Sequence, residues 1–358
     1  MNIIIPFYNV DDLDFYHHLV RSLQSFHSDV HVHIVYMNGK VENVWKHDFS
    51  FHKLEVSSVL RSKALQLLFS RRKIWGQLKK INADVIFALS ELWSLEFSSY
   101  CFRKINIPFV VWVRGDHRKV RDARGVNIFK KLIANYLEVK YLNEAAFVVP
   151  NCMSLHEKLH EWGVNGSKIT KPVYNGVDTE VFKPINISRS EKFTVGYVGR
   201  ICPEKRVYEF LRIAEKLKNK DIKFVMAGPK AMDVKFPENV HYFGKLPFEK
   251  MPIFYNTIDL LVLPSLTEGF PSVILEAYAC EKPVLASIEA FPRELKVFGA
   301  VANLKEFEKE LIMLQKADLR NLGRQAREYV KRNFGWRQFA NQIINYLKLS
   351  CIQKERKK

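Results

Sequence analysis

The sequence predicts an α/β protein of two Rossmann-like domains, each an open parallel sheet flanked by helices, facing a central cleft. Three observations carry that expectation. The chain has 358 residues, beyond the size at which one core usually stops growing. Short apolar runs of strand length alternate with longer stretches in which apolar residues recur three and four apart. The alternation then halts in a polar, turn-rich stretch near the middle and starts again.

In the first half IIIPF, VHVHIVYM, ADVIFAL, PFVVWV and AAFVVPN read as strands, with helical spacing over Ser62 to Lys80 and Phe129 to Leu142. The stretch VYNGVDTEVFKPINISRSEKF carries Asn175, Gly176, Asp178 and Pro184 as turn residues and little apolar periodicity, so the interdomain linker is expected there. Beyond it FTVGYVGR, IKFVMAG, VHYFG, LLVLP and PVLAS repeat the strand pattern, with helices between them. The expected domains are residues 1–180 and 190–335. Ligands of open parallel sheets sit outside the carboxyl ends of the strands, so the chemistry belongs in loops that follow strands.

Hydrophobic residues make up 47% and charged residues 26%, a globular composition, and no apolar run approaches the roughly 20 residues that span a bilayer. The start MNIIIPFYNV enters a strand-like run at once, without the basic start and cleavage site of a signal peptide. A cytoplasmic protein is expected, at most peripheral at the inner face of a membrane. Cys101, Cys152, Cys202, Cys280 and Cys351 lie far apart at no metal-ligand or redox-motif spacing, which suits reduced thiols. A net charge of +18 and a pI near 9.5 attract phosphates, whether on nucleotides, nucleic acid or anionic lipid.

The segment EGFPSVILE, from Glu268 to Glu276, follows the strand LLVLP and precedes PVLAS. Gly269 allows close backbone approach to a ligand, Pro271 suits a first helical turn, and Ser272 suits capping of free amides. A helix is expected to begin between Pro271 and Val273, its N–H groups and dipole favouring a diphosphate, with Glu268 and Glu276 as acceptors for sugar hydroxyls. In VGYVGRICPEK a strand ends at Gly199 and two cations follow, Arg200 and Lys205, a planar fork and a compact charge able to converge on a diphosphate. Gly196 and Gly199 do not form a GxGxxG fingerprint, so dinucleotide binding gains no support.

Together these segments resemble the signature of the retaining glycosyltransferase family four, the glycosyl transferases group 1, whose members adopt the two-domain GT-B fold. YNGVDTEVFKP is similar to the family's linker motif, FVMAGP to its next strand, and VHYFGKLPFEKMPIFYNTIDLLVLPS to its base-binding region. NFGWRQFANQIINYLKL resembles the helix, about residues 336–350, that crosses back to the first domain. The resemblance implies that Glu268 and the amides of Gly269, Phe270, Pro271, Ser272 and Val273 hold the transferred sugar. It implies also that Glu276 binds the ribose, that Arg200 and Lys205 neutralise the pyrophosphate, and that Lys245 and Leu246 face the nucleobase. No metal or cofactor is implied, only a UDP- or GDP-linked sugar as co-substrate.

Two places depart from the family pattern. In PFVVWVRGDHRKVR, Arg114 stands where members carry a histidine before Gly-Asp; His117 takes over that place in space, or Arg114 itself contacts sugar or phosphate. Asp116 orients Arg114, binds the donor sugar or forms the turn. The first strand leads into FYNVDDLDF instead of a glycine-rich loop, and Asp12 and Asp14 bracket one residue as in a metal-binding DxD, though far earlier than that motif occurs.

From Arg61 to Lys80 stand seven basic residues, Arg61, Lys63, Arg71, Arg72, Lys73, Lys79 and Lys80, and no acidic ones, at a spacing that suits either contact with an anionic membrane or one solvated face of a packed helix. The function expected is transfer of a hexose, with retention, to a lipid-linked or glycan acceptor. A GT-B enzyme that glycosylates nucleic acid or protein and a non-enzymatic GT-B binding module are the rival readings.

Overall fold

The computed structural model describes residues 1–41, 48–54, 71–187 and 190–356, with the side chains of residues 12–15, 17 and 71–73 outside the description. In chain order the elements of the first half are β1 (Asn2–Asn9), α1 (Leu13–Ser25), β2 (His31–Asn38), β3 (Ser50–Lys53), α2 (Arg71–Ile81), β4 (Val85–Leu89), α3 (Leu92–Ile105), β5 (Phe109–Val113), α4 (His117–Ala123), α5 (Ile128–Glu144), β6 (Phe147–Pro150) and α6 (Met153–Glu161). There follow β7 (Phe193–Val198), α7 (Val207–Lys216), β8 (Ile222–Ala227), β9 (Val240–Tyr242), α8 (Met251–Thr257), β10 (Leu260–Leu263), α9 (Ser272–Ala279), β11 (Val284–Ser287), β12 (Gly299–Ala302), α10 (Phe307–Gln315), α11 (Leu319–Asn333) and α12 (Trp336–Glu355).

The chain forms two compact units, one of Met1–Arg114, Asn127–Val173 and Trp336–Lys358, the other of Gly115–Val126 and Tyr174–Gly335. The first unit holds a six-stranded sheet ordered β3-β2-β1-β4-β5-β6 with every pairing parallel. Its central strands β4 and β5 are buried at every position, as strands covered on both faces must be, which is why they read as unbroken apolar runs. Ile3, Ile5, Phe87, Val110 and Trp112 share their core with Phe339, Ala340, Ile343, Ile344 and Leu347, an apolar stripe at helical spacing that fixes α12 to this unit.

The second unit repeats the plan with the parallel order β12-β11-β10-β7-β8-β9. Tyr197, Phe210, Phe224, Leu260 and Phe307 lie in its core. All ten strands expected from the sequence are present. β3 and β12 were not expected: β3 (SFHK) is an edge strand with no buried position, and β12 (GAVA) is short and small.

Two boundaries differ from expectation. The turn-rich stretch is no loose linker, because from Tyr174 onward it is bonded to the second unit. Val177 N donates to Phe334 O at 2.9 Å, Arg327 donates to the carbonyls of Phe182 and Thr179, and Asn256 Nδ2 to that of Lys183. Residues Gly115–Val126, placed by sequence in the first domain, group with the second. Of the basic stretch, Arg71 to Lys80 lie in α2, and Arg61 to Ser70 lie outside the described residues. All five cysteines are free thiols.

Candidate active site

In the second unit the strand order reverses between β7 and β10, and such a reversal opens a crevice at the carboxyl ends of the two strands. Gly199 and Arg200 leave β7 on that edge, and the loop from Ser265 to Gly269 leaves β10. Glycine is required beside them. Gly228, following β8, has φ of 144°, and a Cβ there would stand 2.0 Å from the Gly199 carbonyl oxygen. Tyr197 is fully buried beneath, and its hydroxyl donates to Arg200 O at 3.0 Å, which fixes the backbone that carries the arginine.

Lys205 closes a short 3-10 turn, Pro203–Lys205, and its Nζ lies 2.5 Å from Glu268 Oε1, so the loops after β7 and β10 are joined through two expected site residues. Between Arg200 and Lys205 stands Glu204, which sequence reading passed over. Its carboxylate is buried, receives hydrogen bonds from Arg124 and lies 3.4 Å from Arg200 Nη2. Burial acts to raise its pKa, but the bonds from Arg124, from its own backbone amide and from Cys202 outweigh that and bring it to about 2. Glu204 therefore stays ionised, and its carbonyl accepts from Leu266 N at 2.9 Å.

Helix α9 begins beside this cluster. Pro271 is its N-cap and Ser272 its first residue, and among the described residues no side chain caps the first turn, so Ser272 does not take the capping role expected of it. Instead Asn175 Nδ2 donates to Phe270 O at 2.6 Å and to Ser272 Oγ at 3.0 Å, holding the loop from outside the helix. Phe270 turns its ring into a buried cluster with Tyr174 and Phe334, which leaves only its backbone to meet a ligand. Gly269 precedes it, and Val273 is the second helical residue. One turn on, Glu276 accepts a 2.7 Å hydrogen bond from the buried Tyr255 hydroxyl. An edge of Glu276 meets solvent, but its carboxyl lies among densely packed groups; burial pushes its pKa up to about 7, with the Tyr255 bond opposing. A solvated surface glutamate would not behave so.

Lys245 and Leu246 follow β9, separated from β10 by β7 and β8, and Gly228 N bonds Gly244 O at 2.8 Å to hold their loop on the same edge. At about 4.8 Å between strands, the edge from the β10 loop to the β9 loop extends about 14 Å. Arg114 follows the first unit's β5, its guanidinium 4.5 Å from the Tyr16 ring and 5.1 Å from that of Trp112. The Asp116 carboxylate caps α4 by accepting from Lys119 N at 2.9 Å, which fits the turn-forming role among those expected of it. His117 is the first residue of α4, and the helix is pinned within the second unit where Arg124, its C-cap, meets Glu204. The side chains of Asp12 and Asp14 lie outside the described residues, and among those described no His, Cys, Asp and Glu group is arranged to hold a metal ion.

Residues 178–306 match the model of the glycosyl transferases group 1, a span that contains Arg200, Lys205, Glu268 and Glu276. The match spans a little over a third of the chain, which is similar to the family over that stretch. The chain is 29% identical over 181 residues to an alpha-galactosylglucosyldiacylglycerol synthase of Streptococcus pneumoniae, covering 44% of this chain and about half, 47%, of the relative. It is 27% identical over 334 residues to an uncharacterised glycosyltransferase of Methanocaldococcus jannaschii, covering 83% of this chain and 89% of that one. The solved structure of Anabaena HepE with UDP and glucose superposes with a TM-score of 0.77 at 16% identity, over 97% of this chain and 99% of that one. Two parallel six-stranded sheets make the fold of this chain GT-B, as the sequence predicts.

Proposed function

We propose that this chain is a glycosyltransferase that moves a hexose from a UDP- or GDP-linked donor to a lipid-linked or glycan acceptor, with retention and without a metal. The observation that carries the reading is the joined pair Lys205 and Glu268 at the reversal of strand order, beside the uncapped start of α9. A departing diphosphate needs positive charge in a water-poor setting, and Arg200, Lys205 and the α9 amides supply it where an enzyme of another class would use a cation. Glu268 and the backbone from Gly269 to Val273 take the sugar, Glu276 the ribose, and the loop of Lys245 and Leu246 the base. HepE was solved in complex with UDP and glucose, and the streptococcal relative is named for a glycosylated diacylglycerol, which supports this donor and acceptor class. Retention is carried over from the family; the departing diphosphate accepts the acceptor's proton on the face it leaves.

A thermal-shift screen of nucleotide sugars, then NMR of the product's anomeric proton in buffer with EDTA, tests the reading. A donor that raises the melting temperature and yields retained product under chelation supports it. An inverted product, or activity lost in EDTA and restored by a divalent ion, rejects the corresponding part.

A further inference from the structure

The first sheet also reverses its strand order, between β1 and β4, and such a reversal opens a crevice at the carboxyl ends of those strands. Tyr8, near the end of β1, and Trp93, in the first turn of α3 beyond β4, meet edge to face with 5.9 Å between ring centroids. Glu91 is the N-cap of α3, makes no capping bond with its side chain, and accepts from the hydroxyl of Tyr16 in α1 at 3.3 Å. Arg114 follows β5, the next strand along. Its backbone is fixed by Ser90 Oγ, which accepts from Arg114 N at 3.4 Å, and by Asn151 Nδ2, which donates to Arg114 O at 3.3 Å. Its guanidinium, over the rings of Tyr16 and Trp112, meets no carboxylate among the described residues, and its Nε has no hydrogen-bond partner there. Trp93 Nε1 and Asn151 Oδ1 are buried and equally without a partner among those residues. Buried polar groups nearly all find partners, so orphans beyond three successive strands, β4, β5 and β6, leave two donors and an acceptor for a ligand to satisfy. All of these residues belong to the first unit.

We propose that this crevice selects an acidic saccharide as acceptor, the Arg114 fork taking a pair of carboxylate or phosphate oxygens, Tyr8 and Trp93 facing the apolar side of the sugar ring, and Glu91 accepting one of its hydroxyls. A neutral sugar would leave the half-buried guanidinium uncompensated, whereas an oxyanion neutralises it. Glu91 does not already do so, because Tyr16 stands between them: the guanidinium lies 4.5 Å from its ring centroid, and Glu91 meets the hydroxyl at its rim. A bare anion would have no use for the aromatic walls or for Glu91. The net charge of +18 adds a field that draws acidic ligands. Calling the ligand an acceptor rests on the proposed transfer; its binding does not.

The full chain is titrated, without nucleotide, with sodium glucuronate, glucose 6-phosphate, glucose and inorganic phosphate, and separately with UDP and GDP, each followed by ligand-observed NMR. Glucuronate, glucose 6-phosphate or both are expected to bind about tenfold or more tightly than glucose and inorganic phosphate, and the tighter of the two identifies the acid. Arg114→Met is expected to remove that preference while leaving the affinities for glucose and nucleoside diphosphate and the melting temperature unchanged. Arg114→Lys, which keeps the charge without the planar fork, is expected to retain part of it. The proposal is overturned if both acids bind no better than glucose, if inorganic phosphate binds as tightly as the better acid, if Arg114→Met keeps the preference, or if that variant loses nucleoside diphosphate instead. Acids that bind a chain insensitive to UDP and GDP would reject the donor reading and leave the acid-binding crevice standing; the reverse result would reject the crevice alone.

Discussion

Glu268 and Lys205 hold each other at 2.5 Å, so the two side chains nearest the proposed chemistry are positioned by mutual charge. Glu268→Ala is expected to reduce transfer about a hundredfold or more while leaving the affinity for free nucleoside diphosphate within a few-fold, checked by turnover and calorimetry. Normal turnover would remove Glu268 from its role. Glu276 supplies a pH test. Its folded pKa of about 7 lies above the ordinary 4.5, so the native state binds the extra proton and stability falls as pH rises from about 4.5 to 7. In the role proposed for Glu276 ribose hydroxyls donate to the carboxylate, so nucleotide affinity is expected to climb through pH 7, and Glu276→Gln to flatten that climb. These residues were legible because motif spacing exposes them. Glu204 and Tyr255 were not: a glutamate between proline and lysine reads as solvated, and its partner Arg124 lies 80 residues away in sequence.

At the scale of elements, the ion pair between Glu204 and Arg124 fastens α4 to the turn that carries Lys205. Glu204 titrates at about 2 when folded, below its ordinary 4.5, so its contribution to stability is present above about 4.5 and lost as pH falls through about 2. Melting temperatures are expected to fall more steeply over that interval for the wild type than for Glu204→Gln; parallel slopes would show that the pair does not stabilise the fold. The strands with continuous apolar runs were readable because burial on both faces demands such runs. β3 and β12 escaped because an edge strand needs little apolar surface, and GAVA offers four small residues with no alternation. The stretch around Asn175 was read correctly as turns, yet its side-chain bonds to the α9 loop depend on a partner nearly a hundred residues on, which local pattern cannot express.

Across the whole molecule the first unit is discontinuous, since its core includes Phe339, Ile343, Ile344 and Leu347 of α12. At about 1.5–3 kcal/mol for each large buried side chain, removing these four forfeits an amount comparable to a domain's entire stability of about 5–15 kcal/mol. A chain ending at Gly335 is expected to lose protection from hydrogen exchange in β1, β4 and β5 while β7, β8 and β10 stay protected and still respond to the donor nucleotide. Retained protection throughout would show that α12 is dispensable to the first core. The arrangement also sets a schedule on the ribosome. The strands made first wait for the helix made after both sheets, whereas the second unit's sheet and its helices from α7 to α11 are already complete when α12 emerges. A finished first core is thus a record that translation has run past both units, and a truncated product advertises itself by the raw apolar surface it leaves uncovered.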